Sequence, residues 1–232
     1  MKKSWNKGFT KYTHSSVLKI SETMQKRKID NFYYWRERMK KSGKIKTCYP
    51  YFKRNNKLAE LIGVVLGDGH IQKFPRTERL IISANSNNEG FINRYRNIVR
   101  DVFIKKPTCS KVKSKNCVRI SIYEKFISKR LNIATGNRSG SDKGIPYWAK
   151  KDKSLLVDCL RGLYEAEGSF SIHKPTCTYK AAFSNKNKKL LTDVYNALQA
   201  LGFSPLYERY RIMVSKREEF FKLKMLINFR KY

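Results

Sequence analysis

Leu61-Ile-Gly-Val-Val-Leu-Gly-Asp-Gly69 and Leu160-Arg-Gly-Leu-Tyr-Glu-Ala-Glu-Gly168 are the two stretches that decide the fold of this 232-residue chain. Each is an apolar segment of helical character with glycine at its third position, and each ends in an acidic residue followed by glycine. The two acids, Asp68 and Glu167, are separated by 99 residues. The shared pattern predicts two copies of one structural unit, each of which ends a helix in a carboxylate.

The offset of 99 residues continues into the next segment of each copy. Apolar residues there recur at the i, i+1, i+4, i+7, i+8 and i+11 spacing of an amphipathic helix. They are Phe91, Ile92, Tyr95, Ile98, Val99 and Val102 in the first copy, and Leu190, Leu191, Val194, Ala197, Leu198 and Leu201 in the second. Asn88 and Asn187 coincide at the starts of the two segments. The sequence therefore predicts an internal duplication with one carboxylate in each copy.

The net charge of the chain indicates a polyanionic partner. Lysine and arginine number 51 against 18 aspartates and glutamates, which gives a formal charge of +33. An anionic membrane is the competing interpretation of such a charge, but no apolar run reaches the roughly 20 residues that a spanning helix needs. Because the cations are spread along the whole chain, nucleic acid is favoured over membrane.

The cysteines and histidines do not indicate a zinc site. Five cysteines occur without a C-x-x-C pair, and only three histidines could join them as ligands. We expect reduced thiols in an intracellular protein, with cytoplasmic and organellar locations both open. The cysteines are Cys48, Cys109, Cys117, Cys159 and Cys177.

The pattern along the chain predicts an α+β protein with two pseudo-symmetric halves. Residues 1–50 carry fourteen Lys or Arg against three acids and are predicted to form a basic helical extension. Residues 51–134 form the first repeat, 135–150 a Gly- and Ser-rich connector and 151–232 the second repeat. Each repeat is predicted to run αββαββα, and the last helix of the first repeat is placed at Glu124–Leu131.

Small residues on the motif helices predict that the two helices pack closely. Gly63 and Gly67 lie four residues apart, as do Gly162 and Ala166, so each pair faces one side of its helix. Close packing would bring Asp68 and Glu167 together at the negative ends of two helices. The two carboxylates then need a compensating cation.

A divalent metal is the predicted compensating cation. Asp68 and Glu167 supply hard carboxylate ligands for Mg²⁺, and the carbonyl groups of Gly67 and Ala166 at the helix ends are further candidate ligands. A metal held there would activate water and neutralise charge on a phosphodiester. Taken singly, each acid has a plain alternative as a solvated carboxylate before a glycine cap. The register of the duplication favours a shared site.

With these motifs the chain resembles the LAGLIDADG homing endonucleases, in the single-chain form with two motifs. The resemblance covers roughly Lys57 to the last residue. The second motif is close to the commonest sequence of the family motif, whereas the first departs from it in having the apolar residues Val64-Val65-Leu66 in its middle. The resemblance implies that the paired motif helices join two αββαββα halves, and that antiparallel sheets form a saddle over DNA. It also implies that Asp68 and Glu167 bind Mg²⁺ and each direct the hydrolysis of one strand, leaving short 3′ overhangs, with Ca²⁺ or Mn²⁺ able to substitute in binding. The same resemblance implies a long double-stranded target, an intron or intein as host, and a monomeric state.

Strand alternation places part of two polar sets on an exposed sheet face, where they are candidates for DNA binding. Arg and Gln suit base edges, whereas most basic side chains contact phosphate. The sets are His70, Gln72, Lys73, Arg76 and Arg79 in the first repeat, and His173, Lys174, Thr176, Thr178 and Lys180 in the second.

Two further features have both a functional and a plain interpretation. Lys143 in the connector is a candidate for the peripheral catalytic lysine that the family uses, with a solvated loop charge as its alternative. The segment from Trp5 to Met24 resembles, over a short length, a modular DNA-binding motif attached to intron-encoded nucleases. A basic tail that binds DNA without sequence preference is the alternative there.

Three functions follow from the sequence. A site-specific DNA endonuclease needs both acids and a divalent ion. An RNA maturase that binds its host intron RNA would use the basic surface without needing both acids. A noncatalytic DNA-binding regulator would keep the duplicated fold alone. The presence of Asp68 and Glu167 favours the endonuclease.

Overall fold

The computed structural model describes residues 4–113, 115–136 and 143–232. The chain divides into two compact units, one that ends at Tyr49 and one that comprises Pro50–Tyr232. Both acid-ending motifs lie in the second unit. Residues 137–142 of the predicted connector are outside the described residues.

The described part of the first unit contains two helices, α1 (Ser15–Lys26) and α2 (Tyr33–Lys41), and neither of them has a buried residue. The His14 ring caps α1 by accepting a hydrogen bond from the backbone N–H of Ser16 at 3.2 Å. Helix α1 therefore begins with a local cap rather than with a packed core.

The second unit contains two αββαββα repeats, as the sequence predicted. The first runs α3 (Asn56–Gly67), β1 (Gly69–Lys73), β2 (Glu78–Asn85), α4 (Glu89–Phe103), β3 (Thr108–Lys111), β4 (Cys117–Glu124) and α5 (Ile127–Leu131). The second runs α7 (Lys153–Glu167), β5 (Gly168–His173), β6 (Thr178–Ser184), α8 (Lys188–Ala200), β7 (Leu206–Glu208), β8 (Arg211–Val214) and α9 (Arg217–Leu226).

Two details differ from the predicted elements. Helix α5 begins at Ile127 and not at Glu124, because Glu124 still pairs with Glu78 in the sheet and Phe126 takes a left-handed conformation with φ of 59°. The connector also contains a short helix, α6 (Tyr147–Lys150), which follows a proline at its N-cap.

Each repeat has one four-stranded antiparallel sheet, with strand orders β1-β2-β4-β3 and β5-β6-β8-β7. Apolar side chains alternate with polar ones along the strands, so that one face of each sheet packs against helices. In β4, for example, Ile120 and Ile122 are buried whereas Arg119 and Tyr123 are exposed. The opposite face of each sheet is therefore open to solvent over much of its area.

The N-termini of α4 and α8 show that the duplication extends to hydrogen bonding. The Asn88 side chain accepts a hydrogen bond from the N–H of Phe91 at 3.2 Å, and the Asn187 side chain accepts one from Leu190 at 3.1 Å. Both are asparagine N-caps that bond to the third helical residue. The coincidence of the two asparagines in the sequence therefore reflects one capping arrangement used twice.

The motif helices α3 and α7 pack against each other along their length and belong to one core shared by both repeats. A buried ion cluster lies at this interface. Glu60, which is 3% exposed, accepts two hydrogen bonds of 2.6 Å from the guanidinium of Arg94, and Arg161 of the other repeat lies 3.6 Å away. Because a buried carboxylate needs such partners, the cluster fixes how α3, α4 and α7 meet.

Candidate active site

The C-terminal ends of α3 and α7 are in direct contact. A Cβ placed on Gly67 would lie 2.5 Å from the Cβ of Ala166 and 3.1 Å from the Cγ of Glu167, which is closer than side chains pack. Asp68 directly follows Gly67 as the C-cap of α3, and Glu167 is the last residue of α7. The packing of the two helices therefore brings one acid from each repeat to a common point, as the duplication predicted.

Glycine after each acid lets the helix pass directly into the first strand of its sheet. A Cβ on Gly69 would lie 2.5 Å from the Cα of Val65, and a Cβ on Gly168 would lie 2.5 Å from the carbonyl oxygen of Tyr164. No side chain fits in either place. The acids are thus held between the end of a buried helix and the start of a strand, with little freedom to move apart.

Both carboxyl groups have raised pKa values. Desolvation at the helix ends raises the pKa of Asp68, although its side chain keeps an exposed surface, so this desolvation is partial. Desolvation also raises the pKa of Glu167, and the negative charge of Asp68 raises it further. The two carboxylates therefore repel each other, and a cation between them would relieve that repulsion.

The described surroundings of the acids do not form a complete cage of side chains for a metal. Over the described ranges, neither carboxylate has an ion pair with lysine, arginine or histidine within 4.0 Å, and no group of three or more His, Cys, Asp or Glu residues could hold a metal. The available donors are two carboxylates and the last carbonyl groups of the helices, which include those of Gly67 and Ala166. Hard oxygen donors in this small number suit Mg²⁺, which retains water in its shell.

The open faces of the sheets carry six of the ten side chains predicted to bind DNA. The cross-strand pairs show which residues share a face, since Gln72 pairs with Arg79 and His173 pairs with Thr178. The six residues are His70, Gln72 and Arg79 on the first sheet, and His173, Thr178 and Lys180 on the second.

The other four predicted residues lie at the ends of strands. Lys73 is the last residue of β1 and alternates with Gln72, so it points to the packed side of the sheet while remaining exposed. Arg76 lies in the turn between β1 and β2, and Lys174 and Thr176 lie in a 3₁₀ turn between β5 and β6. These residues border the open faces and are not part of them. Their predicted role in DNA binding is not tested by this placement.

Arg79 is held in a fixed position on the first open face. Its Nη2 donates a hydrogen bond of 2.9 Å to the Oγ of Ser121, and its guanidinium lies 5.3 Å from the centre of the Tyr123 ring. The residue at the same place in the second repeat is Lys180, because Gln72 of β1 pairs with Arg79 and its counterpart Ser171 of β5 pairs with Lys180. Both open faces therefore carry a cation at this position, an arginine in the first repeat and a lysine in the second.

Lys143 makes its described contacts away from the two acids. Its Nζ donates to the Oδ1 of Asn132 at 3.1 Å, and its carbonyl oxygen accepts a hydrogen bond from the Asn187 side chain at 2.9 Å. These contacts join the end of α5 in the first repeat to the start of α8 in the second. The predicted catalytic role of Lys143 remains a prediction.

Several open-face residues were missed by the sequence interpretation. Arg119 of β4 lies opposite Ser83 and Ser110, and Arg211 of β8 lies opposite Ser184. Alternation along β4 and β8 could have identified these two arginines. Their position beside the residues of β2 and β6 depends on the strand order, which local sequence does not reveal.

The second half of the chain matches a known protein family. The family model of the LAGLIDADG-like domain matches residues 154–226. The matched residues lie within the second repeat. The first repeat has the same order of elements and an acid at the equivalent helix end.

Solved structures with the same fold include two different kinds of LAGLIDADG protein. A structure of mesophilic variants of the homing endonuclease I-DmoI has a TM-score of 0.53 at 19% identity and covers 74% of this chain and 94% of that chain. The N-terminal LAGLIDADG domain of DUF199/WhiA also has a TM-score of 0.53, at 16% identity, and covers 79% and 86%. At these identities the likeness concerns the fold of the LAGLIDADG repeats.

A curated relative gives no further assignment. The uncharacterized protein MJ0314 of Methanocaldococcus jannaschii is 26% identical over 160 residues, which is 62% of this chain and 54% of the relative. The chain thus spans about half the length of the curated relative that it matches. Over the described residues, no helix is both long enough and apolar enough to cross a membrane.

Proposed function

We propose that this LAGLIDADG protein is a site-specific DNA endonuclease that depends on a divalent metal ion, with Mg²⁺ as the expected ion. The observation that carries the proposal is the contact of Gly67 with Ala166 and Glu167, which brings two acids of raised pKa to one point. Adjacent acids that lack cationic partners are costly for folding alone, and they are what a metal-dependent hydrolase requires.

Each repeat would contribute one acid and one helix-end carbonyl group to the metal site. Asp68 and Glu167 would hold the metal through carboxylate oxygens, assisted by the carbonyl groups of Gly67 and Ala166. A divalent ion bound there supplies Lewis acidity toward a phosphodiester and lowers the pKa of water. Since each repeat contributes one acid, we expect each acid to direct the cutting of one strand, which would leave short 3′ overhangs.

The open faces of the two sheets would hold the DNA duplex. They carry His70, Gln72, Arg79, His173, Thr178 and Lys180, and the chain has a net charge of +33, which favours binding to a polyanion. Structures of I-DmoI in complex with DNA and Mn, and with DNA and Ca, have this fold with TM-scores of 0.52. They support double-stranded DNA as the partner and a divalent ion as the cofactor of this chain.

The fold alone does not decide between catalysis and binding, since the WhiA domain has it as well. The decisive experiment incubates the full chain with duplex DNA that spans the insertion point of its own gene, in Mg²⁺, in Ca²⁺ and in EDTA. We expect double-strand cleavage in Mg²⁺ only, and sequencing of the product ends should show short 3′ overhangs.

Two variants and one matched control make this experiment specific for the acids. Asp68→Asn and Glu167→Gln should each reduce double-strand cleavage at least about 100-fold while DNA binding in Ca²⁺ is retained. Glu218→Gln, which removes an exposed carboxylate on α9, should cleave normally. Undiminished cleavage by both acid variants would exclude the mechanism.

The other two functions correspond to different results. A regulator would bind DNA tightly with no scission in Mg²⁺ and with no effect of either acid variant. A maturase would assist splicing of its host intron RNA, and the acid variants would splice as well as the wild type.

A further inference from the structure

The outer surface of α4 carries a cluster of cations that the proposed DNA-binding faces do not include. Arg96, Arg100, Lys105 and Lys106 line one cleft at the C-terminal part of α4, together with Asp101. We call this feature the α4 cleft. All five residues are exposed.

The α4 cleft lies on the side of the first repeat that faces away from the open sheet. Helix α4 buries Phe91, Tyr95, Ile98, Val99 and Phe103, and it packs on β4, whose Ile120 and Ile122 point toward it. Arg100 lies on the opposite side of the helix, and Arg96 lies on the flank next to it. A helix is about 10 Å across with its side chains. A duplex on the open face of the sheet could therefore not reach these arginines.

The single acid of the cleft is already neutralised. Asp101 accepts hydrogen bonds from Lys57 at 2.7 Å and from Arg100 at 2.9 Å, and these bonds lower the pKa of its carboxyl group, which keeps it ionised. Within the described ranges, neither Arg96 nor Lys106 has an acidic partner within 4.0 Å. The cleft thus has an excess of positive charge.

The duplication supplies an internal comparison for this cluster. The residues equivalent to Arg96 and Arg100 on α8 are Tyr195 and Gln199, and the Gln199 side chain donates a hydrogen bond of 3.1 Å to the Tyr195 hydroxyl. The same fold is therefore built in the second repeat without cations at this place. Arg96 and Arg100 are also an i, i+4 pair of like charges, which opposes helix formation. The fold of the repeat therefore does not require arginines at these two positions.

We propose that the α4 cleft binds the phosphodiester backbone of a second nucleic-acid segment, distinct from the duplex on the open sheet faces. The partner follows from charge, because arginines and lysines grouped on one helix surface match successive phosphates. Single-stranded RNA and a second DNA duplex share this chemistry. The inference rests on the proposed binding of a duplex to the open faces but not on cleavage, so it can hold or fail independently of the proposed endonuclease activity.

The test counts nucleic-acid molecules bound per protein by native mass spectrometry, in Ca²⁺ and at near-physiological ionic strength. One arm uses a short DNA duplex alone, and the other uses the same duplex with a short single-stranded RNA. Wild-type protein should bind two molecules in at least one arm, and the arm in which the second molecule appears identifies it as DNA or RNA.

The variant Arg96→Glu/Lys106→Glu should bind one molecule only, and the salt dependence of the lost binding event should account for about two phosphate contacts. The control Lys188→Glu/Lys224→Glu makes the same change in net charge on exposed helix positions of the second repeat and should still bind two molecules. The thermal unfolding of both proteins is also measured, because cations near a helix C-terminus can stabilise the helix through its dipole instead of binding nucleic acid.

Three results would overturn the proposal. The first is a wild-type protein that binds one molecule in both arms. The second is an equal loss in the α4 variant and in the control, which would show that only total charge matters. The third is a lower melting temperature of the α4 variant with binding of two molecules unchanged, which would assign the cations to helix stability.

Discussion

Gly63 and Gly162 occupy equivalent positions in the two repeats, and each lies against the backbone of the other's helix. A Cβ on Gly63 would lie 2.2 Å from the carbonyl oxygen of Cys159, and a Cβ on Gly162 would lie 2.1 Å from the carbonyl oxygen of Glu60. Cys159 and Glu60 are themselves equivalent under the offset of 99 residues. The contact between α3 and α7 is therefore reciprocal, as in a twofold-symmetric dimer.

This reciprocity predicts that alanine at either glycine is strongly destabilising. Gly63→Ala should lower the free energy of unfolding by at least about 2 kcal/mol, because the new methyl group meets main-chain atoms that cannot turn away. Thermal unfolding should show a decrease of about 2–4 °C per kcal/mol for a unit of this size. A variant that melts with the wild type would contradict the observed helix packing.

Gly67 provides the matched control, because its added methyl group would meet a side chain instead of the backbone. Gly67→Ala should destabilise through the clash with the Cβ of Ala166, 2.5 Å away. The double variant Gly67→Ala/Ala166→Gly exchanges the two residues between the repeats and should recover most of the lost stability. Gly63→Ala has no comparable rescue by a side-chain change.

The raised pKa values of Asp68 and Glu167 predict how stability depends on pH and metal. The folded protein holds these protons more tightly than the unfolded chain, whose reference pKa values are 3.8 for Asp and 4.5 for Glu. In EDTA, their contribution to the free energy of unfolding should therefore fall as pH rises from those reference values through the higher folded pKa values. At higher pH, the loss is complete and the contribution is constant.

The variant Asp68→Asn/Glu167→Gln isolates this contribution by difference. In EDTA at neutral pH, it should be more stable than the wild type because the repulsion between the acids is removed. Saturating Ca²⁺ should stabilise the wild type by about 2.7 kcal/mol at one hundred times the dissociation constant, and should leave the variant unchanged. Melting curves recorded over a range of pH, in EDTA and in Ca²⁺, test both effects. Identical pH profiles for the two proteins would refute the assignment.

Arg79 predicts a base preference in the half-site bound by the first repeat, given the proposed binding of DNA to the open faces. Its guanidinium is oriented by Ser121 and Tyr123, and arginine in the major groove pairs with guanine through two hydrogen bonds. Arg79→Ala should relax the preference for guanine at one position of the half-site bound by the first repeat, by about 1–3 kcal/mol. Selection of bound sequences from a randomised duplex library measures this preference.

Lys180→Ala is the comparison for Arg79. A lysine that contacts phosphate should weaken binding to all sequences alike and should reduce the salt dependence by about one charge. If Arg79→Ala also weakens binding to all sequences uniformly, Arg79 contacts the backbone and does not read a base.

The sequence alone determined the repeat structure of this protein. The matching motifs, the 99-residue offset and the helical spacing of apolar residues gave the order of elements in both repeats, because hydrophobic periodicity and capping are local properties. The same local signals placed Asp68 and Glu167 at helix ends. They failed at Glu124, where pairing with Glu78 in the sheet overrides the local preference for helix.

The tertiary structure decided everything that depends on distant segments meeting. Strand order set Arg119 beside Ser83 and Ser110 on an open face, and the packing of α4 on β4 directed Arg100 to the opposite side of the helix and Arg96 to the flank next to it. The packing of α3 against α7 raised the pKa of Glu167, first through desolvation and then through the charge of Asp68. Register, burial and electrostatic coupling arise only when residues far apart in the chain are held together, so no local pattern encodes them.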